Sequence, residues 1–205
     1  YGTDQGVGSG RLVPLEASDA HHARALCAEY GVIMALGGVP QVATPLGQPV
    51  LWVEPGYEMA GFRRLTEGGS QWFVQPGCML GELDAAGLHQ FADAPAYLTV
   101  AAWLADRTLC DWNSGETFKS GLAHASVLLA DGTSAKLGPF GEKNRQPLDT
   151  LTLQRLVPDL FQLAGKTEAQ ACRRLAPWPA RYRLDALLPC EGQTVNLAHL
   201  LLGHG

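Results

Sequence analysis

Apolar positions in this chain fall in runs of no more than about eight residues, separated by Gly, Pro and polar clusters. Their spacing changes along the sequence. Residues 1–11 are Gly-rich and polar and read as an arm. Leu12–Leu15 reads as a short strand. Ser18 or Asp19 then stands where a cap is needed for a helix whose apolar positions include Ala23, Leu26, Cys27 and Tyr30. Gly31 occupies the expected C-cap. Val32–Leu36 reads as a buried strand broken by Gly37-Gly38, and Val50–Val53 as a further strand after a Pro/Gly-containing loop. Strand, helix, parallel strand and Gly-rich loop together predict a βαβ unit.

Beyond residue 60 the pattern changes to hairpins. Phe62–Thr66 and Gln71–Gln75 flank Glu67-Gly68-Gly69-Ser70. Met79–Leu88 has helical spacing through Leu80, Leu83 and Leu88. Leu122–Ala130 and Thr133–Leu137 flank Asp131-Gly132, a pair that accepts the positive φ of a type I′ turn. Residues 138–150 read as a surface loop and Leu151–Ala164 as a helix. Residues 165–185 carry clustered charge without a clear period, and Val195–Leu202 reads as a short apolar helix. The order predicts an α+β fold. A small α/β lobe (residues 1–60) is followed by an antiparallel-sheet lobe with helices (residues 61–205). The strands Val32–Leu36 and Val127–Ala130 are expected to be buried.

Charge and composition narrow the function. The 205 residues carry 20 acidic and 15 basic side chains, for a net charge of −5. That balance, with no Lys/Arg run, argues against a nucleic-acid partner. No apolar run approaches the length of a membrane span. The five cysteines (27, 78, 110, 172, 190) are an odd number, widely spaced and without C-x-x-C. They read as free thiols in a reducing, cytoplasmic compartment. The sequence begins on Tyr1 with no leader-like segment and is expected to be trimmed from something longer.

Residues 71–141 carry the most specific pattern. Val74-Gln75-Pro76-Gly77 ends a predicted strand. Asp93-Ala94-Pro95 and Thr99-Val100-Ala101-Ala102-Trp103 follow, and then the Asp131-Gly132 hairpin. This ordered set resembles the flavin-binding domain of the p-cresol methylhydroxylase / vanillyl-alcohol oxidase superfamily, in its glycolate oxidase and D-lactate dehydrogenase branch. Murein-precursor reductases share the fold but match the spacing less well. The resemblance covers nearly the whole chain. It implies a two-lobed domain with flavin adenine dinucleotide (FAD) between the lobes, held non-covalently. It further implies that a small 2-hydroxy acid, bound with the help of a downstream cap domain, passes a hydride to the flavin. The electron acceptor is left open.

The same resemblance assigns site residues. Gly37, Gly38, Val39 and Gln41 match the pyrophosphate loop. Gln75, Pro76 and Gly77 match the turn beside the flavin, and Thr99, Ala101 and Ala102 match the T/S-I-G-G segment. Asn113, Ser114 and Gly121 stand where relatives have a Gly-rich loop and a Y-G pair. No catalytic residue and no metal ligand is assigned. The chain departs from the pattern at several of these positions. The loop's Arg, one Gly and its hydroxyl are missing, Pro40 removes an amide donor, and Ala101-Ala102 replace two glycines. The terminal Asn196-Leu197-Ala198-His199-Leu200 to Gly205 resembles the start of a family motif that continues further. The chain alone is therefore expected to bind FAD weakly. A second reading is a degenerate, non-enzymatic domain that serves as a scaffold or subunit contact.

Other motifs fail on chemistry. Gly6-Val7-Gly8-Ser9-Gly10 is no dinucleotide fingerprint, because no strand precedes it and Arg11 breaks the pattern. His21-His22 are adjacent on a helix and face different directions. No G-x-S-x-G and no Cys/His cluster argues for a nucleophile.

Overall fold

The computed structural model describes residues 10–37, 49–141, 147–175 and 178–205. It is mixed α and β, with four small sheets among the described residues. The chain divides into two compact units, Tyr1–Trp103 and Leu104–Gly205. The 60/61 lobe boundary expected from sequence falls inside the first unit.

The first unit opens with strand β1 (Gly10–Leu12), helix α1 (Ala17–Tyr30), strand β2 (Ile33–Leu36) and strand β3 (Val50–Val53). The three strands form a parallel sheet in the order β1-β3-β2, so the helix carries the chain across β3. Strand β1 ends at Leu12, before Pro14, earlier than the predicted Leu12–Leu15. Glu16 is the N-cap of α1, and Asp19 Oδ2 reaches back to accept from the amides of Leu15 (2.7 Å) and Glu16 (3.1 Å). Gly31 closes the helix at φ 66°, as its position predicts. Ala23 and Cys27 are the buried residues of α1, whereas Tyr30 is 70% exposed. The buried strand is β3 rather than the one predicted at Val32–Leu36. β3 has a partner on both sides and buries Val50 and Val53, whereas β2 lies at the sheet edge with Met34 exposed.

Strands β4 (Phe62–Arg64) and β5 (Trp72–Val74) form the predicted antiparallel hairpin. Arg64 lies over the Trp72 ring and Arg63 over the Phe73 ring. Helix α2 (Leu80–Ala85) follows and buries Leu80 and Leu83 completely. Helix α3 (Val100–Ala105) carries the division between the units.

In the second unit, strands β6 (Ala125–Leu128) and β7 (Ser134–Leu137) form the Asp131-Gly132 hairpin. Gly132 has φ 90°, the sign expected for it. The turn itself differs from a type I′ turn. The Gly132 amide donates to the Leu129 carbonyl (2.9 Å), so Ala130 and Asp131 are the central residues. The glycine follows them, as in a type I turn closed by a bulge. Asp131 Oδ1 also accepts from the Thr133 amide (2.8 Å). Val127 and Leu128 are half-buried, so β6 is a face of the core rather than a buried strand.

Strand β8 (Pro139–Phe140) precedes helix α4 (Leu151–Ala164), which spans the predicted residues. Its Thr150 cap accepts from the Leu153 amide (3.2 Å). Helix α5 (Thr167–Cys172) and strand β9 (Val195–Asn196) complete the unit, with β9 paired to β8. The apolar helix predicted at Val195–Leu202 is thus a strand followed by a 3-10 turn, Leu197–Leu201. Asn196 makes the break: its Oδ1 accepts from the Ala198 amide (2.9 Å), and its Nδ2 donates to the Leu122 and Ala123 carbonyls. Leu137, Leu153, Val157, Ala164, Leu187 and Leu197 sit in the core.

Candidate functional site

The segments Gln75–Gly77 and Thr99–Ala102, far apart in sequence, meet in the first unit. Gln75 closes the mouth of the β4–β5 hairpin. Its amide donates to the Gly61 carbonyl (3.0 Å), and its Oε1 accepts from the Gly61 amide (2.6 Å). The Pro76 carbonyl accepts from the Ala101 amide (2.9 Å). Just beyond, the Val100 amide donates to Cys78, Leu80 to Leu98 and Gly81 to Ala96, at 2.9–3.1 Å. Residues 76–81 and 96–101 therefore form a backbone ladder. The Thr99 Oγ1 accepts from the Ala102 amide (3.2 Å) and starts α3. Ala102 and Trp103 are buried, and Trp103 meets Phe91 edge-on at 5.1 Å.

The glycine in this turn answers to protein packing. The Gly77 amide donates to the Met59 carbonyl (2.8 Å), and a Cβ at position 77 would overlap the Gly56 carbonyl oxygen. Gly37 ends β2 with its amide on the Val53 carbonyl (2.9 Å), and a Cβ there would overlap the Glu54 side chain. Gly38, Val39 and Gln41 lie outside the described residues. The amides of Gly37, Gly77, Ala101 and Ala102 are thus all donated within the chain. Among the described residues the Thr99 hydroxyl acts as an acceptor only. At these four amide positions the donors are satisfied within the chain, and Gly77 and Ala102 are buried, so they do not fit a set of amide donors for a pyrophosphate.

Asn113, Ser114 and Gly121 belong to the second unit. Asn113 Nδ2 donates to Glu116 Oε2 (3.1 Å), and Ser114 Oγ to the Leu175 carbonyl (3.0 Å). The Lys119 ammonium holds the Glu116 carboxyl below its ordinary range, with Asn113 adding to the effect. Gly121 ends the 3-10 turn Thr117–Ser120 at φ 70°, which accounts for a glycine there.

Beneath this loop lies a pair that the sequence reading did not single out. Arg183 and Asp185 are 4% and 0% exposed. Arg183 donates to both carboxylate oxygens (2.9 and 2.7 Å) and to the carbonyls of Cys110, Trp112 and Asn113. Asp185 Oδ2 also accepts from the Gly115 amide (2.8 Å). The sequence signal was available in retrospect: Arg183 and Asp185 alternate with Leu184, Ala186 and Leu187 in an apolar stretch. His199 is also buried, with Nε2 on the Leu122 carbonyl (2.8 Å) and Nδ1 on Thr117 Oγ1 (3.1 Å). Burial lowers its pKa, so the ring is neutral, donating from Nε2 and accepting from the Thr117 hydroxyl. Burial pushes the Cys110 thiol up to about 12, which leaves it unreactive at neutral pH.

No family model matches this chain, and no curated protein is significantly similar to it in sequence. The assignment of chemistry therefore rests on the residues themselves. Among the described residues no group of three or more His, Cys, Asp or Glu side chains is placed to hold a metal ion. No helix among them is long and apolar enough to cross a membrane. The second unit has a cavity of about 170 Å³ lined by Ser134, Lys136, Phe140, Leu148, Thr150 and Leu153, among others. None of the site residues predicted from sequence lines it.

Proposed function

We propose that this chain is the flavin-binding part of a cytoplasmic, FAD-dependent oxidoreductase that oxidises a small 2-hydroxy acid. The observation that carries the reading is the Ala101 amide on the Pro76 carbonyl. Through it, the two segments that resemble flavin-lining motifs lie side by side, although 21 residues separate Gly77 from Thr99. The order of elements supports the same reading: a parallel three-stranded βαβ sheet, then a hairpin, then the turn and the Thr99-capped helix, then the Asp131-Gly132 hairpin. When bound, the isoalloxazine supplies the hydride acceptor. The chain supplies position. In this reading the Thr99 hydroxyl donates to a cofactor acceptor, and the half-buried Ala101 limits how closely a ring approaches. Substrate contacts belong to a cap domain in this reading.

A second reading is a flavin-free scaffold or subunit-contact module. It is favoured by the internal use of the amides of Gly37, Gly77, Ala101 and Ala102. The two readings separate in one experiment. The whole protein is incubated with FAD, freed of excess cofactor, and mixed anaerobically with a series of short 2-hydroxy acids. Bleaching of the bound flavin by one of them supports the oxidoreductase. Retained flavin that no 2-hydroxy acid bleaches removes the substrate class, and protein that retains no flavin favours the scaffold.

A further inference from the structure

We propose that the outer edge of strand β4 is a docking site for an extended acidic segment of a partner protein, which adds to the β4–β5 hairpin as a third strand. The hairpin is a two-stranded sheet, and neither edge carries a further strand among the described residues. Its ladder is bonded through alternate pairs. The Gln75 amide donates to the Gly61 carbonyl and the Leu65 amide to the Gln71 carbonyl, so Arg63 and Phe73 are the bonded pair between them. The amides and carbonyls of Phe62 and Arg64 therefore point away from β5, along the outer edge of β4. All three residues of β4 are exposed, whereas in β5 only Phe73 is. Such an edge is a template for strand addition.

The side chains of the edge select the chemistry of the segment. Residues opposite each other in the ladder share a face. Phe62 and Arg64 thus stand with Val74 and Trp72 on one side of the ribbon, and Arg63 with Phe73 on the other. The Arg64 guanidinium lies 4.8 Å from the Trp72 ring centroid, and that of Arg63 5.6 Å from the Phe73 centroid. Each ring holds its cation beside the strand. Glu67, in the turn, is the one carboxylate in residues 61–75, and among the described residues neither arginine is paired with a carboxylate. The edge therefore presents one cation on each face, in a chain whose net charge is −5. Charged side chains guard an edge against its own kind, and a second copy would bring arginine against arginine. Two adjacent acidic residues of an added strand point to opposite faces, so they place one carboxylate beside each arginine. Phe62 and Phe73, 36% and 47% exposed, give the segment's apolar residues a surface to cover.

The test is fluorescence anisotropy of a labelled octapeptide, threonine and valine around a central Glu-Glu pair, titrated with the whole protein in wild type and in Arg63→Glu/Arg64→Glu. An exposed ion pair is worth up to about fivefold in affinity. Wild type should therefore bind this probe about tenfold more tightly than the same peptide with a central Lys-Lys pair, and the charge reversal should invert the preference. If the reversed variant does not fold, Arg63→Gln/Arg64→Gln takes its place and should show no preference. Two further probes are N-methylated at odd or at even positions. One of them should lose about tenfold, because a single set of amides faces β4. Equal binding of the acidic and basic peptides, a preference that survives in the variants, or undiminished binding of both N-methylated probes overturns the proposal. So does an acidic probe that shows no binding, whether or not oligothymidylate binds through the same arginines, a result that would make the partner a nucleic acid.

Discussion

The ladder of residues 76–81 and 96–101 and the Arg183–Asp185 knot are both interior junctions, but they are built from opposite materials. The ladder uses backbone amides and carbonyls, with Gly81 letting the two stretches approach closely. The knot uses two charged side chains that hold a loop by its carbonyls. The ladder's residue types, Pro, Gly, Thr and Ala, are those that ligand-lining loops also use. The knot's residue types pass for surface charge. Chemistry read from residue type alone thus favours the first junction as a site and overlooks the second. The geometry gives both a structural task.

The largest effect should come from breaking the knot. Asp185→Ala leaves the Arg183 guanidinium buried without its counter-charge, which costs about 3–5 kcal/mol. Denaturant unfolding measures it, and a loss below about 1 kcal/mol would mean that Arg183 finds water on its own. Next comes the turn at Gly77, where the ladder begins. In Gly77→Ala the new methyl meets the Gly56 carbonyl oxygen, a backbone atom that cannot rotate away. Such overpacking costs about 1–3 kcal/mol. Gly37→Ala meets only the Glu54 side chain, so its stability loss should be the smaller of the two. Equal losses would mean that the Gly56–Met59 backbone yields to the added methyl.

Gly132→Val tests a single turn. At φ 90° a β-branched residue is strained, and a loss of more than about 1 kcal/mol is expected. Unchanged melting would show that the hairpin relaxes around the substitution. The smallest effect is a pH dependence centred on His199. Burial lowers its pKa in the folded chain, so below about 6.5 the unfolded chain takes up a proton that the folded chain refuses. Stability should be full above that pH and fall as pH drops toward the folded value. His204 and His124, also lowered by burial, act in the same direction. His199→Gln should reduce the slope of stability against pH in this window, and an unaltered slope would assign it to other groups.

Local pattern carried much of the secondary structure. The β4–β5 hairpin, α4 with its Thr150 cap, the Gly31 cap and the positive φ of Gly132 all follow from spacing and turn chemistry that act within a few residues. What failed depends on partners distant in sequence. Which strand is buried was decided by β3 entering between β1 and β2, and a run such as Ile33–Leu36 has no way to encode its own position at an edge. The end of the chain went the same way: Val195 pairs with Phe140, and Asn196 reaches Leu122 and Ala123. Of the candidate site residues, Gln75–Gly77 and Thr99–Ala102 meet in the fold, and their bonding was not legible. Pro76 and Ala101 were both singled out, but spacing cannot say that the amide of one serves the carbonyl of the other.

The flavin reading stands or falls on cofactor uptake. On the reading that the chain is part of a longer protein, the direct measurement is an equilibrium titration of FAD into that longer protein, followed by quenching of flavin fluorescence, with the 205-residue chain titrated beside it. Saturable, stoichiometric binding by the whole protein is predicted, with much weaker binding by the isolated chain, whose described residues offer few free donors. A whole protein that leaves flavin fluorescence unchanged at every concentration would contradict the assignment.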